Sequence, residues 1–213
     1  METAAAEMAD QVPSIKGSVI GGHAEVLVKH LADGSITEAA LARSFEAHEI
    51  AILKGSFAQA SWYDIGLYGR LLKFLRDSVG DGDNLYLVQA GARTAARLIE
   101  AGVHQQLDYL KRTQHRRKEH KEERSAAFGR DLRLLETITG SLLNFGRSEV
   151  VPDPDYALRW MIQKHEVEAY PEALCWTTLG FCNRMAEEHG NPDLWYWERP
   201  SPSTICFRMQ REV

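Results

Sequence analysis

Long hydrophobic runs are scarce in this 213-residue chain. No apolar stretch approaches the ~20 residues that a helix needs to cross a bilayer, so we expect no membrane span. The opening stretch METAAAEMADQVPSIKG has neither a basic start nor an apolar centre, so it does not fit a secretory signal. Its small and acidic residues instead predict a disordered lead-in over residues 1–14.

Cysteine is scarce too. The three cysteines are an odd number, which does not fit a disulfide framework and favours reduced thiols in the cytoplasm. No CxxC pair occurs, which argues against a redox site. The sequence also lacks a nucleophile–base arrangement, a phosphate-binding glycine loop and an HExxH motif. We therefore assign no catalytic residue and do not predict an enzyme.

Positive charge is concentrated in one segment of a chain whose net charge is −5. Residues 111–124, KRTQHRRKEHKEER, hold seven Lys/Arg against three Glu. Clustered cations can bind nucleic acid by releasing counterions from phosphates. No aromatic residue interrupts the run, and its Glu–Lys spacing is typical of a solvated helix, so nucleic acid is not the favoured partner. If the chain holds a protein partner through this run, the interaction surface is formed by Arg116, Arg117, Lys118 and Lys121.

The first two-thirds of the chain has the pattern of packed helices. Apolar residues recur at helical spacing through residues 15–140, and stretches such as GDGDN at residues 80–84 break the pattern as turns do. In the alanine-rich helix predicted over residues 85–102, Gly91 and Ala95 are small enough for another backbone to approach closely.

The last third changes character. Leu158, Trp160 and Ile162 alternate with more polar residues, as in a strand, and SLLNFGRSEVV at residues 141–151 is predicted to pair with them. A helix is predicted after Pro171, and a second hairpin follows it, joined by SPS. We predict an α+β fold in which a helical part, residues 15–140, precedes a β-β-α-β-β unit at 141–213. An antiparallel sheet packs on helices, and 15–213 forms a single domain.

Short motifs in the closing unit carry a family resemblance. ALCWTTLGF (173–181), WYWERPSPSTICFRM (195–209) and LRWMIQKHEVEAYPE (158–172) resemble the central helix, closing hairpin and pocket strand of the 4-vinyl-reductase-like domain superfamily. That superfamily is related to haem nitric-oxide-binding domains and to the sensor half of aromatic-responsive bacterial regulators. KGSVIGGHAEVLVKH, SWYDIGLYGRLLKFL and AGARTAARL are similar to segments of a myxobacterial paralogous family of unknown function that shares this fold.

The resemblance implies a non-enzymatic sensory or regulatory domain that works as a homodimer and signals through protein–protein contacts. Its small apolar ligand would lie between the sheet and the central helix, against Trp160, Ile162, Leu174, Cys175, Trp176 and Phe181. The aromatic set of the last third, which also holds Trp195, Tyr196, Trp197 and Phe207, fits plain core packing equally well. Two alternatives stay open: a ligand-free interaction or scaffold module, and an accessory enzyme of tetrapyrrole or hydrocarbon metabolism.

The resemblance also raises the question of a metal. The aromatic-sensing relatives hold a structural zinc, whose helix cysteine and last hairpin cysteine match Cys175 and Cys206. Glu198 stands at the place of another cysteine, and Trp195, which cannot ligate, at the place of a glutamate. Three donors fall short of the four that structural zinc takes, so buried cysteines are favoured over a metal site.

Haem is the other cofactor that relatives bind. His23 and His165 are the candidate ligands, but no segment matches the Tyr, Ser and Arg motif that holds the haem propionates in those relatives. We therefore predict no cofactor.

Overall fold

The computed structural model describes residues 12–100 and 120–213, which divide into two compact units. The first unit runs to Leu87 and adds Leu142–Phe145 and Ala169–Leu174. The second holds the remaining described residues, from Val88 to the end of the chain. Most of the predicted disordered lead-in lies outside the described residues, but Ser14, its last residue, already belongs to a strand.

Helices dominate the first unit. They are α1 (Gly17–Ala32), α2 (Glu38–Ser44), α3 (Ala47–Lys54), α4 (Ile65–Val79) and the start of α5 (Asn84–Leu98). Two short strands, β1 (Ser14–Lys16) and β2 (Trp62–Asp64), pair antiparallel. The Asp64 side chain accepts a hydrogen bond from the Leu67 amide at 2.6 Å and so caps α4.

The core of the first unit follows helical periodicity. On α4, Tyr68, Leu71, Leu72 and Leu75 are almost completely buried, which puts one face of the helix in the core. The Tyr68 hydroxyl lies 3.2 Å from Nδ1 of the buried His23, and burial raises the pKa of Tyr68. His23, a haem candidate from sequence, is thus a hydrogen-bonded core residue.

The second unit contains a four-stranded sheet and the helices packed on it. Its elements are α6 (Lys121–Thr139), β3 (Arg147–Pro152), β4 (Trp160–His165), α7 (Glu172–Glu188), β5 (Trp195–Ser201) and β6 (Thr204–Met209). The strand order is β3-β4-β6-β5, and every neighbouring pair is antiparallel. This confirms the predicted α+β fold with a helix between two hairpins.

Two predicted strand boundaries are wrong. The strand expected from residue 141 begins at Arg147, because Gly140–Leu142 forms a 3-10 turn at the end of α6. Leu158, expected inside a strand, precedes β4 with a positive φ of 63°, a conformation outside the strand region. Its carbonyl accepts a hydrogen bond from the Ser125 hydroxyl at 3.0 Å.

One face of the sheet is buried under helices. Ile162 of β4 pairs with Val150 on one side and Phe207 on the other, and Phe207 pairs with Trp197. Side chains at paired positions share a face, so these four residues project together. Val150, Ile162 and Phe207 are all buried.

The helices α5 and α7 touch backbone to backbone at two glycines. A Cβ added to Gly91 would lie 1.8 Å from the Thr177 carbonyl oxygen, and one added to Gly180 would lie 1.8 Å from the Val88 carbonyl oxygen. Ala95, one turn beyond Gly91, is fully buried in a cluster with Ile99 and Met185. The close approach predicted at Gly91 is therefore present.

We expect Gly91→Ala and Gly180→Ala each to lower the free energy of unfolding by about 1–3 kcal/mol or more, because a methyl group has no room at either position. Gly140→Ala is the matched control, since a Cβ there would meet nothing within 4 Å. Urea unfolding measures all three variants. Equal stability of Gly91→Ala and Gly140→Ala would show that the helices do not cross at this distance.

The opposite face of the sheet carries an ion cluster around Arg208. Its guanidinium donates to both carboxylate oxygens of Asp153, at 2.6 and 3.0 Å, to Asp155 at 2.6 Å and to Glu198 at 3.2 Å. The Asp153 side chain is completely buried. Burial, the largest single effect, would raise the pKa of Asp153, but the hydrogen bonds from Arg208 and the Asp155 amide and the charges of Arg208 and Arg159 together outweigh it and hold that pKa below its usual range. The cluster fixes the β3–β4 connection to β6.

We expect Asp153→Asn to cost about 3 kcal/mol of unfolding free energy at neutral pH, because it leaves Arg208 with its buried, doubly hydrogen-bonded partner uncharged. The folded-state pKa is lowered, so the stabilisation is complete above the unfolded pKa of about 3.9 and is lost as pH falls through the folded value. Urea unfolding against pH should therefore show the wild type losing its advantage below about pH 3.9.

Asp155→Asn is the matched control for this cluster, because the Asp155 side chain is 63% exposed and contacts the same guanidinium. An exposed pair contributes at most about 1 kcal/mol. Equal losses from Asp153→Asn and Asp155→Asn would contradict a special role for the buried carboxylate.

Candidate ligand-binding site

Two tryptophans meet where α7 faces β5. The ring centroids of Trp176 and Trp197 are 5.2 Å apart, and the rings are almost perpendicular, at 83°. Trp197 projects from the helix-covered face of the sheet, since it pairs with the buried Phe207. Edge-to-face pairs of this kind contribute about 0.5–1.5 kcal/mol beyond the area that they bury. We call this pair, with Cys175 and Arg199, the aromatic wall.

The indole nitrogen of Trp197 distinguishes the aromatic wall from ordinary core. Nε1 of Trp197 is buried and donates no hydrogen bond to any group in the described part of the chain. Buried indole N–H groups normally find an acceptor, and a buried donor without one costs about 1–3 kcal/mol. Trp160 shows the normal case, because its Nε1 lies 2.9 Å from the Ser125 carbonyl and 3.0 Å from the Ser125 hydroxyl.

A cation lies in the same wall. Arg199 follows Trp197 by two residues in β5, and its Nη2 lies 4.0 Å from the sulfur of Cys175, which is fully buried on α7. A second guanidinium nitrogen, Nη1, donates to the Pro202 carbonyl at 3.4 Å. The wall thus combines two aromatic rings, an indole donor and a guanidinium. That combination suits an apolar molecule that carries a hydrogen-bond acceptor.

A polar cluster lies on the same face of the sheet, around Lys164. Its ammonium lies 3.2 Å from Glu136 Oε1 of α6 and 2.6 Å from the Ser148 hydroxyl of β3. Burial first, and then the negative charge of Glu136, raises the pKa of Cys182 to about 12, against the opposing effect of Lys164. Cys182 is therefore protonated at neutral pH and is a poor nucleophile. Lys164 and Glu136 pair with each other and join α6 to the sheet.

Trp160 contacts a different helix from the one predicted. Its indole lies against Gly129 of α6, where an added Cβ would be 2.3 Å from the ring, and the Arg133 guanidinium lies 4.7 Å from the ring centroid. The sequence predicts Trp160 beside Cys175 and Trp176 of α7, whereas these contacts of its indole are with α6. The reason is that Gly129 leaves a gap in α6 that the indole fills.

The other predicted ligand-binding residues have core positions. Ile162 is buried on the sheet, and Phe181 packs on the cluster of Ala95, Ile99 and Met185. Leu174 is buried and belongs to the first unit. Of the six predicted residues, Cys175 and Trp176 lie in the aromatic wall. Trp197 was named only within the larger aromatic set, and no sequence signal indicated Arg199.

The candidate zinc ligands do not assemble. Cys206 pairs with Glu198 across β5 and β6, and alternation places both on the sheet face opposite Phe207, whereas Cys175 comes from α7 on the Phe207 face. The Glu198 carboxylate is bound to Arg208, and burial, followed by Glu198, raises the pKa of Cys206. Within the described ranges, no group of three or more His, Cys, Asp and Glu side chains could hold a metal ion.

The remaining predicted positions are a histidine and the basic run. His165 Nε2 lies 3.0 Å from Glu149 on the neighbouring strand. Arg116, Arg117 and Lys118 lie outside the described residues. Lys121 begins α6 and binds the Glu212 carboxylate at 2.9 Å. Among helices of the described segments, none combines the length and apolarity that crossing a membrane requires.

Comparisons with known proteins give no family for this chain. No protein-family model matches it, and no curated protein matches it significantly. The resemblance to 4-vinyl-reductase-like domains therefore stays a prediction.

The unpaired indole N–H of Trp197 also affects the stability of the ligand-free protein. We expect Trp197→Phe to lower the free energy of unfolding less than Trp160→Phe does, because the indole N–H that it removes has no hydrogen bond to lose. Trp160→Phe should cost more, since it breaks the contacts with Ser125 and leaves the gap at Gly129 incompletely filled. Urea unfolding of both variants measures the difference. A Trp197→Phe loss as large as that of Trp160→Phe would show that the indole N–H is already satisfied.

Proposed function

We propose that this chain is a non-enzymatic sensory or regulatory domain that binds a small, largely apolar ligand at the aromatic wall. The observation that carries the proposal is the buried indole N–H of Trp197, which has no acceptor in the described part of the chain. The family resemblance supports the same kind of function. By that resemblance the domain is a cytoplasmic homodimer and passes its signal on through protein–protein contacts.

The chemistry of the wall limits the ligand. Trp176 and Trp197 favour a flat or aromatic body, because such a body stacks on indole rings at little entropic cost. The indole N–H requires an acceptor on that body, such as a carbonyl, hydroxyl or carboxylate oxygen. An aromatic ketone, phenol or aryl carboxylate meets both requirements.

The proposal assigns the cysteine of the wall a packing role. Cys175 is fully buried, and its sulfur lies beside the Arg199 guanidinium. No reaction is proposed for it. A scaffold that binds no ligand is the competing hypothesis, and it gives Trp197 no role beyond packing.

A thermal-shift and tryptophan-fluorescence screen of aromatic ketones, phenols and aryl carboxylates tests the proposal. A ligand at a hundredfold excess over its Kd stabilises the fold by about 2.7 kcal/mol, which raises Tm by about 5–10 °C in a chain of this size. Trp197→Phe should weaken binding of a hit about tenfold or more, because it removes the indole donor and leaves a smaller aromatic ring in its place.

Trp62→Phe is the matched control, because Trp62 is 44% exposed and lies in the first unit beneath the Lys16 ammonium. It should leave the affinity unchanged. A screen without hits would favour the hypothesis of a scaffold that binds no ligand. The same conclusion would follow if Trp197→Phe bound a hit as tightly as the wild type does.

A further inference from the structure

A groove of about 470 Å³ runs along α1 in the first unit. One wall is α1, with Gly21, Glu25 and Val28, and the other is the segment from Leu53 to Gln59 that follows α3. Its volume lies within the range of about 300–1,000 Å³ that is typical of small-molecule sites. No residue of the groove takes part in the aromatic wall.

The groove is held open by backbone contacts. A Cβ on Gly17 would lie 2.2 Å from the Ala58 carbonyl oxygen, so the segment runs directly over the start of the helix. The amides of Gly17 and Ser18 donate to the carbonyls of Ser61 and Gln59, at 2.9 and 3.1 Å. The walls are therefore fixed before any ligand arrives, which lowers the entropic cost of binding.

These same hydrogen bonds decide which charge the groove accepts. The amides of Gly17 and Ser18, the first two of α1, would otherwise favour an anion, but both already donate to carbonyls. The Lys54 ammonium on the opposite wall is bound by both oxygens of Glu38, at 2.6 and 2.7 Å. Glu25 is exposed and forms no ion pair with any described residue. The available charge in the groove is thus negative, and the nearby carboxyl end of α3 adds to it.

We propose that this groove is a second binding site, specific for a small organic ammonium ion with an apolar body. Glu25 pairs with the ammonium group. Val28, which is 42% exposed, and Phe57 contact the apolar body. The groove shares no residue with the aromatic wall, so an experiment can disprove binding at one of the two sites without affecting the proposal for the other.

Titration of the full chain with 2-phenylethylammonium, followed by amide NMR shifts, tests this site. The neutral 2-phenylethanol and the anionic 3-phenylpropanoate are probes of matched shape. The ammonium ion should bind about tenfold or more tightly than either, and 1 M salt should weaken it. Shift changes should concentrate on Gly21, Glu25 and Phe57.

Substitutions distinguish specific binding in the groove from unspecific binding of the ammonium ion to carboxylates elsewhere on the surface. Glu25→Gln should weaken ammonium binding about tenfold or more, whereas Asp81→Asn, in an exposed turn, should not. Glu38→Gln releases the Lys54 ammonium from its ion pair. This variant should bind 2-phenylethylammonium more weakly and 3-phenylpropanoate more tightly than the wild type does. Trp197→Phe should change nothing here. Equal binding of the three probes, or unchanged affinity in Glu25→Gln, would overturn the proposal.

Discussion

Buried polar groups on a sheet face must find hydrogen-bond partners, because water cannot reach them. In the second unit, residues of the helices supply these hydrogen-bond partners to the sheet. α6 supplies Ser125 to the Trp160 indole and Glu136 to the Lys164 ammonium. α7 supplies Asn183, which accepts from the Trp195 amide at 2.8 Å. Trp197 is the exception among these groups, and our proposed function rests on that exception.

The fold class could be predicted because its signals are local. Alternation in β4, the turn at SPS and the apolar periodicity of α4 each depend on a few neighbouring residues. The strand start at Arg147 could not be predicted, since apolar residues before it, such as Leu142, fit a strand and a 3-10 turn equally well.

The candidate site was only partly predictable, because it depends on contacts between distant segments. Sequence alternation gives the face on which Trp160 lies, but not the helix that covers it. That choice is made by Gly129, 31 positions earlier, whose missing side chain admits the indole. Arg199 reaches Cys175 from 24 positions away, a contact without any local signal. Cys175 and Trp176 were found because they follow each other on one helix.

The most direct test of the proposed function follows the indole proton of Trp197 itself. The chain has five tryptophans, so ¹⁵N-labelled indole groups give few, separable NMR signals. When an aromatic ketone or aryl carboxylate binds, the Trp197 signal should move downfield and its solvent exchange should slow, because the N–H gains an acceptor. The Trp160 and Trp62 signals should stay in place. A ligand that binds and leaves the Trp197 signal unmoved would contradict the account.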